Sequence, residues 1–537
     1  MSYLKLICQK IKNWLKSLSW QEIALFVLIL IIGLPSLFVS WMIVDDGVGI
    51  LIPQKISNLL TSFNFGGLWD LFVEKESGRF RPAYWIFQWV VYLIGREDPF
   101  FHHFVHFLVC AATVFLIFSI IRILTSSKSS ALLGSSLFLL TYLNIENWYR
   151  LGPQEPLLVF YLTISLYFLA KNISLILGVE KKISKINLLF SILPLALAYF
   201  TKETPIALMP LAVFFLVGAF LIKDRKRKTL WLKNFGYFLM ANLFLTIISL
   251  IIIFFVRHQG YYSAYYTISL PALIGHARGY FGLIFKSFGI FSLIYLFSFF
   301  YFSFLAIKRG QWSLNQFLQL AFLVGFFSFL LIFLPWGFVL GRYLESALVF
   351  LVFACGFENA RIFDTVSRRF KEKISWGFFL AFLFFLVVNL PPVFSYVVNT
   401  VVGTHNTREF LRFIARITPP GGRVFFNMVR GEATVELVFE SDLHFKLFDK
   451  RQDITADYII TDENKLQNLK KGDIIVTAFT SDNFIALKRE EFLKKFKSKE
   501  LKQFPNQSID FTINIFSRHP FYRFNVLRSI WFVDMID

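Results

Sequence analysis

Eleven apolar runs, most of them near the length of a bilayer crossing, set the terms on which this chain can fold. They fall at residues 23–44, 101–121, 131–145, 154–170, 187–200, 204–222, 235–256, 281–306, 314–334, 343–360 and 375–398. A helix rises about 1.5 Å per residue, so roughly 20 apolar residues cover a ~30 Å hydrocarbon core. Charged residues make up 17% of the 537, against 56% hydrophobic. A soluble domain carries about a quarter charged residues, so the composition agrees with a polytopic, α-helical membrane protein.

The formal charge of +20 invites a nucleic-acid reading, and its distribution excludes one. Basic residues gather in alternate connections: Lys5, Lys10, Lys12 and Lys16; Arg122 and Lys128; Lys181, Lys182 and Lys185; residues 223–228; Lys308 and Arg309; Arg368, Arg369, Lys371 and Lys373. By the positive-inside rule those loops are cytoplasmic, as is the N-terminus, and the intervening loops face outward. The excess charge is an orientation signal rather than a polyanion-binding patch. The first run is too long for a signal peptide and lacks a small-residue cleavage site, so it is expected to remain as an anchor. Three cysteines, Cys8, Cys110 and Cys355, form neither a disulfide framework nor a metal cluster.

Two domains are expected: a membrane domain over residues 1–398, whose first outward loop is 45–100, and a small extracytoplasmic α/β domain over 399–537. The tail has ordinary globular composition, with 21 basic and 18 acidic residues. A helix is expected at 407–417, closed by Pro419-Pro420-Gly421-Gly422. Strands are expected at 424–429, 458–461, 474–478 and 511–516, and a helical stretch near 490–501.

Chemistry-bearing residues concentrate on the outward side. Asp45 and Asp46 stand where the first run meets water. On an extended segment they point to opposite sides, so they are not assumed to grip one ion together. The first outward loop has helical apolar spacing at Ile50, Leu51, Ile56, Leu59, Leu60 and Phe63, suited to lying in the interface plane. Arg79 and Arg81 follow, read either as ligand-binding cations or as snorkelling above an aromatic belt. Lys202 and Glu203 occupy a very short outer turn, where charge costs several kcal/mol of desolvation unless it is matched or wet. His102 and His106 share a helix face at i, i+4, a spacing read as polar lining of a wet cavity rather than as a metal site. No obligatory metal or other cofactor is expected.

The order of these motifs resembles a family. Asp45-Asp46 after the first span, Arg79-x-Arg81-Pro82, Pro99-x-x-x-His103 entering the next span, Glu146 in the second outward loop, and Thr201-Lys202-Glu203-Thr204 are similar to the membrane glycosyltransferases of the GT-C superfold. The closest similarity is to the protein O-mannosyltransferases and their tetratricopeptide-bearing relatives. It covers the first 220 residues or so. Arg342-Tyr343 resembles the late outward-loop arginine of several such enzymes. The wording of residues 144–157 departs from the family, and no tetratricopeptide array follows, which puts the acceptor in question.

The resemblance implies transfer of a sugar, with mannose the one it suggests, from a polyprenyl-phosphate donor to an acceptor approaching from outside. That acceptor is a protein hydroxyl, a lipid or a cell-envelope glycan. It also implies Asp45 as general base, with Asp46 orienting it or the acceptor. Arg79, Arg81, Arg150, Lys202 and Arg342 are the cations available to the leaving phosphate, and His103, Glu146, Glu203 and Tyr343 line the same site. Carboxylate bases and phosphate-gripping arginines suit this reaction physically. A transporter or flippase is the rival class, but it usually shows broken helices or repeated halves around a midplane site. A receptor-like protein working through its tail leaves the charged outer motifs unexplained.

Overall fold

The computed structural model describes residues 18–41, 46–74, 79–179, 181–257, 268–309, 313–337, 339–369, 374–427, 432–459, 469–479, 498–504 and 530–536. Asp45 and the strand expected at 511–516 lie outside them. Among the described residues, seven helical segments are long and apolar enough to cross a membrane: Trp20–Phe38, Pro99–Thr125, Glu155–Leu177, Thr204–Leu221, Arg225–Ile252, Leu314–Phe333 and Gly341–Thr365. A pair bent by 101°, Leu270–Phe288 and Ser292–Leu305, makes an eighth if it counts as one span. Lys185–Tyr199 and Phe382–Val398 are apolar but shorter. The chain is a mostly helical integral membrane protein with a small sheet.

Side-chain caps fix several helix starts where the sequence places Ser or Asp before an apolar run. Asp98 accepts the amide of Phe100 at 3.1 Å, with Pro99 in the first turn. The amide of Ser19 donates to Glu22 at 2.8 Å, and Ser313 and Gln316 form a reciprocal box. Each such cap satisfies amides that the helix itself leaves open.

The run at 131–145 is not one crossing. It divides into Lys128–Leu139 and Tyr142–Tyr149, because Thr141 donates its hydroxyl to the carbonyl of Leu137 and Asn144 donates to that of Phe138 at 3.3 Å. Residues 130–139 are all buried, so this helix is a wedge among other helices rather than a lipid-facing span. Close packing here needs glycine. A Cβ on Gly134 would lie 2.5 Å from Ile121 Cδ1, and one on Gly356 would lie 2.7 Å from Ile121 Cγ2. Small residues let helix backbones approach in this way.

The ion pairs sort the loops into two ends. Glu22 pairs with Arg122 at 2.7 Å and Lys128 at 3.4 Å, and Lys181 pairs with Asp224 at 2.6 Å. All five residues flank or lie in loops expected on the cytoplasmic side. The expected outward residues pair among themselves at the opposite ends of the same helices, as described below.

The last membrane helix does not stop at residue 398. Ile374–Ile417 is continuous through the expected domain boundary and absorbs the separate helix expected at 407–417. Its final turns bury Phe410, Leu411 and Ile414 against Val424, Phe426, Ile474 and Val476 of the sheet. That sheet has five strands, β1 (Arg423–Asn427), β2 (Thr455–Ile459), β3 (Ile474–Phe479), β4 (Ser498–Phe504) and β5 (Ile530–Ile536), in the order β2-β1-β3-β5-β4. β1 pairs in parallel with β2 and β3, whereas β5 runs antiparallel to β3 and β4. The helical stretch expected near 490–501 is corrected over its end: residues 498–501 are strand β4, where Lys499, Lys502 and Gln503 pair across to Met535, Val533 and Phe532. Cross-strand partners override a local charge pattern that reads as helix. A helix not anticipated from the sequence, Glu432–Leu447, follows β1.

Candidate functional site

Asp46 is fully buried, one residue past the undescribed Asp45, and its Oδ1 accepts the amides of Leu151 at 3.1 Å and Gly152 at 3.2 Å. The Tyr84 hydroxyl donates to the carbonyl of Gly152 at 2.8 Å. The loop at Leu151 and Gly152 is thus held by one carboxylate on its amides and one phenol on its carbonyl.

Arg81 is buried, and its guanidinium bonds the Glu74 carboxylate and lies 5.7 Å from the Trp85 ring centroid. Trp85 Nε1 donates to the other Glu74 oxygen at 2.7 Å. Burial opposes the charge of Arg81, but Glu74 outweighs it and holds the guanidinium above its ordinary pKa. The segment around Phe80 and Ala83 also docks on the Lys202 turn: the Ala83 amide donates to Phe200 O at 3.0 Å, and Phe80 meets Phe200 edge-on at 6.0 Å. This brings Arg79 within electrostatic reach of Lys202.

Lys202 and Glu203, adjacent in sequence, are not each other's hydrogen-bond partners. Lys202 bonds Glu155 at the start of the earlier helix Glu155–Leu177, a residue only 2% exposed, and lies 4.8 Å from the Tyr343 ring centroid. Burial pushes the Lys202 ammonium down, while Glu155 and Glu203 push it back up. Glu203 Oε2 is buried without a hydrogen-bond partner among the described residues. Its charge also acts on Arg81. The desolvation argument located this turn correctly, but the compensating carboxylate comes from 47 residues earlier. Only an acid opening an apolar run, Gln154-Glu155-Pro156, hinted at it.

Glu146 accepts Arg150 at 2.6 Å, and Arg342 Nη1 stands 3.7 Å from the same oxygen. Arg342 also lies 5.5 Å from the ring centroid of Tyr343, which stacks on Phe333 at 5.5 Å. Asn147 ties this corner together. Its Nδ2 donates to Arg342 O at 3.2 Å and to Glu345 at 2.7 Å, while its own carbonyl bonds His106 Nε2 at 2.6 Å. Asn147 and Glu345 were not singled out from sequence, since a lone amide in a loop and an acid in an apolar run carry no periodic signal.

His103 is fully buried, and neither ring nitrogen has a hydrogen-bond partner among the described residues. His102 bonds Arg96 O at 2.8 Å instead of facing a shared ligand with His106. Among the described residues, no three His, Cys, Asp or Glu side chains come together as a metal-binding group.

Arg79, Lys202, Glu203, Arg342 and Tyr343 thus act on one another, and Glu146 and Arg150 join them through Arg342, beside the loop bonded to Asp46. Such an arrangement can neutralise a phosphate while keeping carboxylates nearby.

Residues 82–254 match the family model of dolichyl-phosphate-mannose-protein mannosyltransferase. Among solved structures, ArnT from Cupriavidus metallidurans bound to undecaprenyl phosphate is 11% identical, with 95% of this chain and 97% of that one covered and a TM-score of 0.47. The same protein in the apo state gives 12% identity, coverage of 98% of each chain and a TM-score of 0.48. The Archaeoglobus fulgidus oligosaccharyltransferase in complex with Zn and sulfate gives 10% identity, 74% and 59% coverage, and a TM-score of 0.42. No curated protein matches the sequence.

Proposed function

We propose that this membrane chain, similar to the protein O-mannosyltransferase family model over residues 82–254, transfers a sugar from a polyprenyl-phosphate donor to an acceptor on the extracytoplasmic face. The observation that carries this reading is the gathering of Arg79, Arg150, Lys202 and Arg342 beside the loop that Asp46 holds. In this reading the N-terminus is cytoplasmic and the α/β domain extracytoplasmic.

The donor's phosphate lies against Arg342 and Lys202, with Arg79 and Arg150 adding field. An acceptor hydroxyl attacks the anomeric carbon, its proton passes to Asp45, and the bond from that carbon to the phosphate oxygen breaks, releasing polyprenyl phosphate. Fixed cations lower the barrier because they face charge that grows as that bond breaks. Asp46, committed to the amides of Leu151 and Gly152, serves as a positioning group, and the proton is assigned to Asp45. Mannose is the sugar favoured by the family match, and the acceptor is a protein hydroxyl, a lipid or a glycan.

Substitution Asp45→Asn removes the base without changing size and should lower turnover ~10² to 10⁴-fold with the donor KM nearly unchanged. Asp46→Asn keeps an acceptor oxygen for the two amides and should cost less. Turnover of purified Asp45→Asn equal to wild type removes the base assignment.

A further inference from the structure

We infer that the α/β domain is a working part of the outward site: Phe448, at the end of its first helix, is a positioning residue for the segment and loop that Asp46 joins. The inference rests on the transferase reading for its consequence in turnover, but not for its geometry.

Trp41 is 2% exposed, although it stands only three residues beyond the end of the first crossing. One face of its environment is His102, edge-on at 5.1 Å, and the other is Phe448, stacked at 5.8 Å with planes 24° apart. Phe448 is in turn backed by His444 at 4.8 Å. Trp41, Ile50, Tyr92 and Leu151 form a small buried cluster, closed from the α/β side by Leu447 and Phe448. Leu151 is the residue whose amide Asp46 accepts. The domain's apolar contact therefore closes the same cluster that holds the anchored loop through Leu151.

Polar contacts fix the same approach. Trp41 Nε1 donates to Glu97 O at 3.2 Å, and Lys450 of the α/β domain pairs with the Glu97 carboxylate at 3.0 Å. Behind Trp41, the Ser40 amide donates to Thr404 Oγ1 at 3.3 Å and His405 bonds Phe38 O at 2.8 Å. Residues 38–41 are thus held between the long helix, the second crossing and the α/β domain. Among the described residues of that domain, Leu447 and Phe448 are the large apolar side chains packed against this cluster, and Phe448 is the one stacked on Trp41. Removing the Phe448 ring opens a void beside Trp41 and Leu151, and core packing relaxes only partly around such voids.

The test uses the full chain in nanodiscs and follows hydrogen exchange of the Leu151 and Gly152 amides. Phe448→Ala should raise their exchange about tenfold while β1 stays protected, and Phe448→Trp should restore them. Should β1 protection collapse in Phe448→Ala, Phe448→Leu takes its place, with an expected rise of about threefold and an intact domain. With a polyprenyl-phosphate mannose donor and turnover normalised to the folded fraction, Phe448→Ala should also lower kcat more than it raises KM. Unchanged exchange at Leu151 and Gly152 in a variant with intact β1 overturns the inference, whatever the turnover. Raised exchange in a protein that turns over none of the donors instead retains the coupling and removes the transferase reading.

Discussion

At the scale of single residues, the buried pair Lys202–Glu155 is the most exacting element of the site. Both side chains sit among Phe333, Tyr343 and the helix ends with little access to water. Breaking such a pair leaves an uncompensated charge, at a cost of about 3–5 kcal/mol, whereas replacing both partners by apolar groups costs far less. Glu155→Gln should therefore lower thermal stability in detergent strongly, and Glu155→Gln with Lys202→Met should recover most of it. A single variant as stable as wild type contradicts the pairing. The cation was legible in the sequence, because a lysine in a two-sided apolar turn demands a partner. Its partner was not, because the pairing is set by how two helices meet. Likewise the acidic pair was visible as Asp45-Asp46, yet the task of Asp46, holding Leu151 and Gly152, depends on a loop 105 residues away.

At the scale of elements, His444 reports on the docking of the α/β domain. Burial, and then the nearby Arg408 charge, lowers its pKa from 6.5 to about 4. The unfolded state binds this proton more readily, so stability is undiminished above pH 6.5 and falls as pH drops from 6.5 towards 4. Over that window the loss amounts to about 3 kcal/mol at most. Melting curves between pH 7.5 and 4 should show this slope, and His444→Gln should flatten it. A wild-type midpoint independent of pH over that range contradicts the burial argument, provided the variant behaves alike. Most elements followed from periodicity, as Pro99–Thr125 and Leu314–Phe333 illustrate. The wedge at 128–149 was misread as one span because a buried helix and a lipid-facing one share the same composition, and its break comes from Thr141 and Asn144 taking carbonyls. β4 was misread because its charges sit at helix-compatible spacing and only the partner strand decides.

At the scale of the whole molecule, the long helix Ile374–Ile417 joins the membrane body to the sheet without a hinge in its secondary structure, and the outward loops lock onto one another between them. Basic loops in the sequence mark one end of the helices, and the ion pairs Glu22–Arg122 and Lys181–Asp224 fall at that end. Composition placed a boundary at residue 398, where the structure has a continuous helix, and the packing of its end on the sheet was not legible. The central claim is that this assembly cleaves a polyprenyl-phosphate sugar. Its most direct test reconstitutes the purified chain with a panel of such donors, mannose among them, and measures polyprenyl phosphate released with each candidate acceptor. The account predicts acceptor-dependent release with at least one donor, reduced about tenfold or more by Arg342→Ala and less by Arg342→Lys, which keeps charge but loses the paired hydrogen bonds. Release equal in wild type and Arg342→Ala, or none from any donor and acceptor in the panel while the protein remains folded, would contradict it.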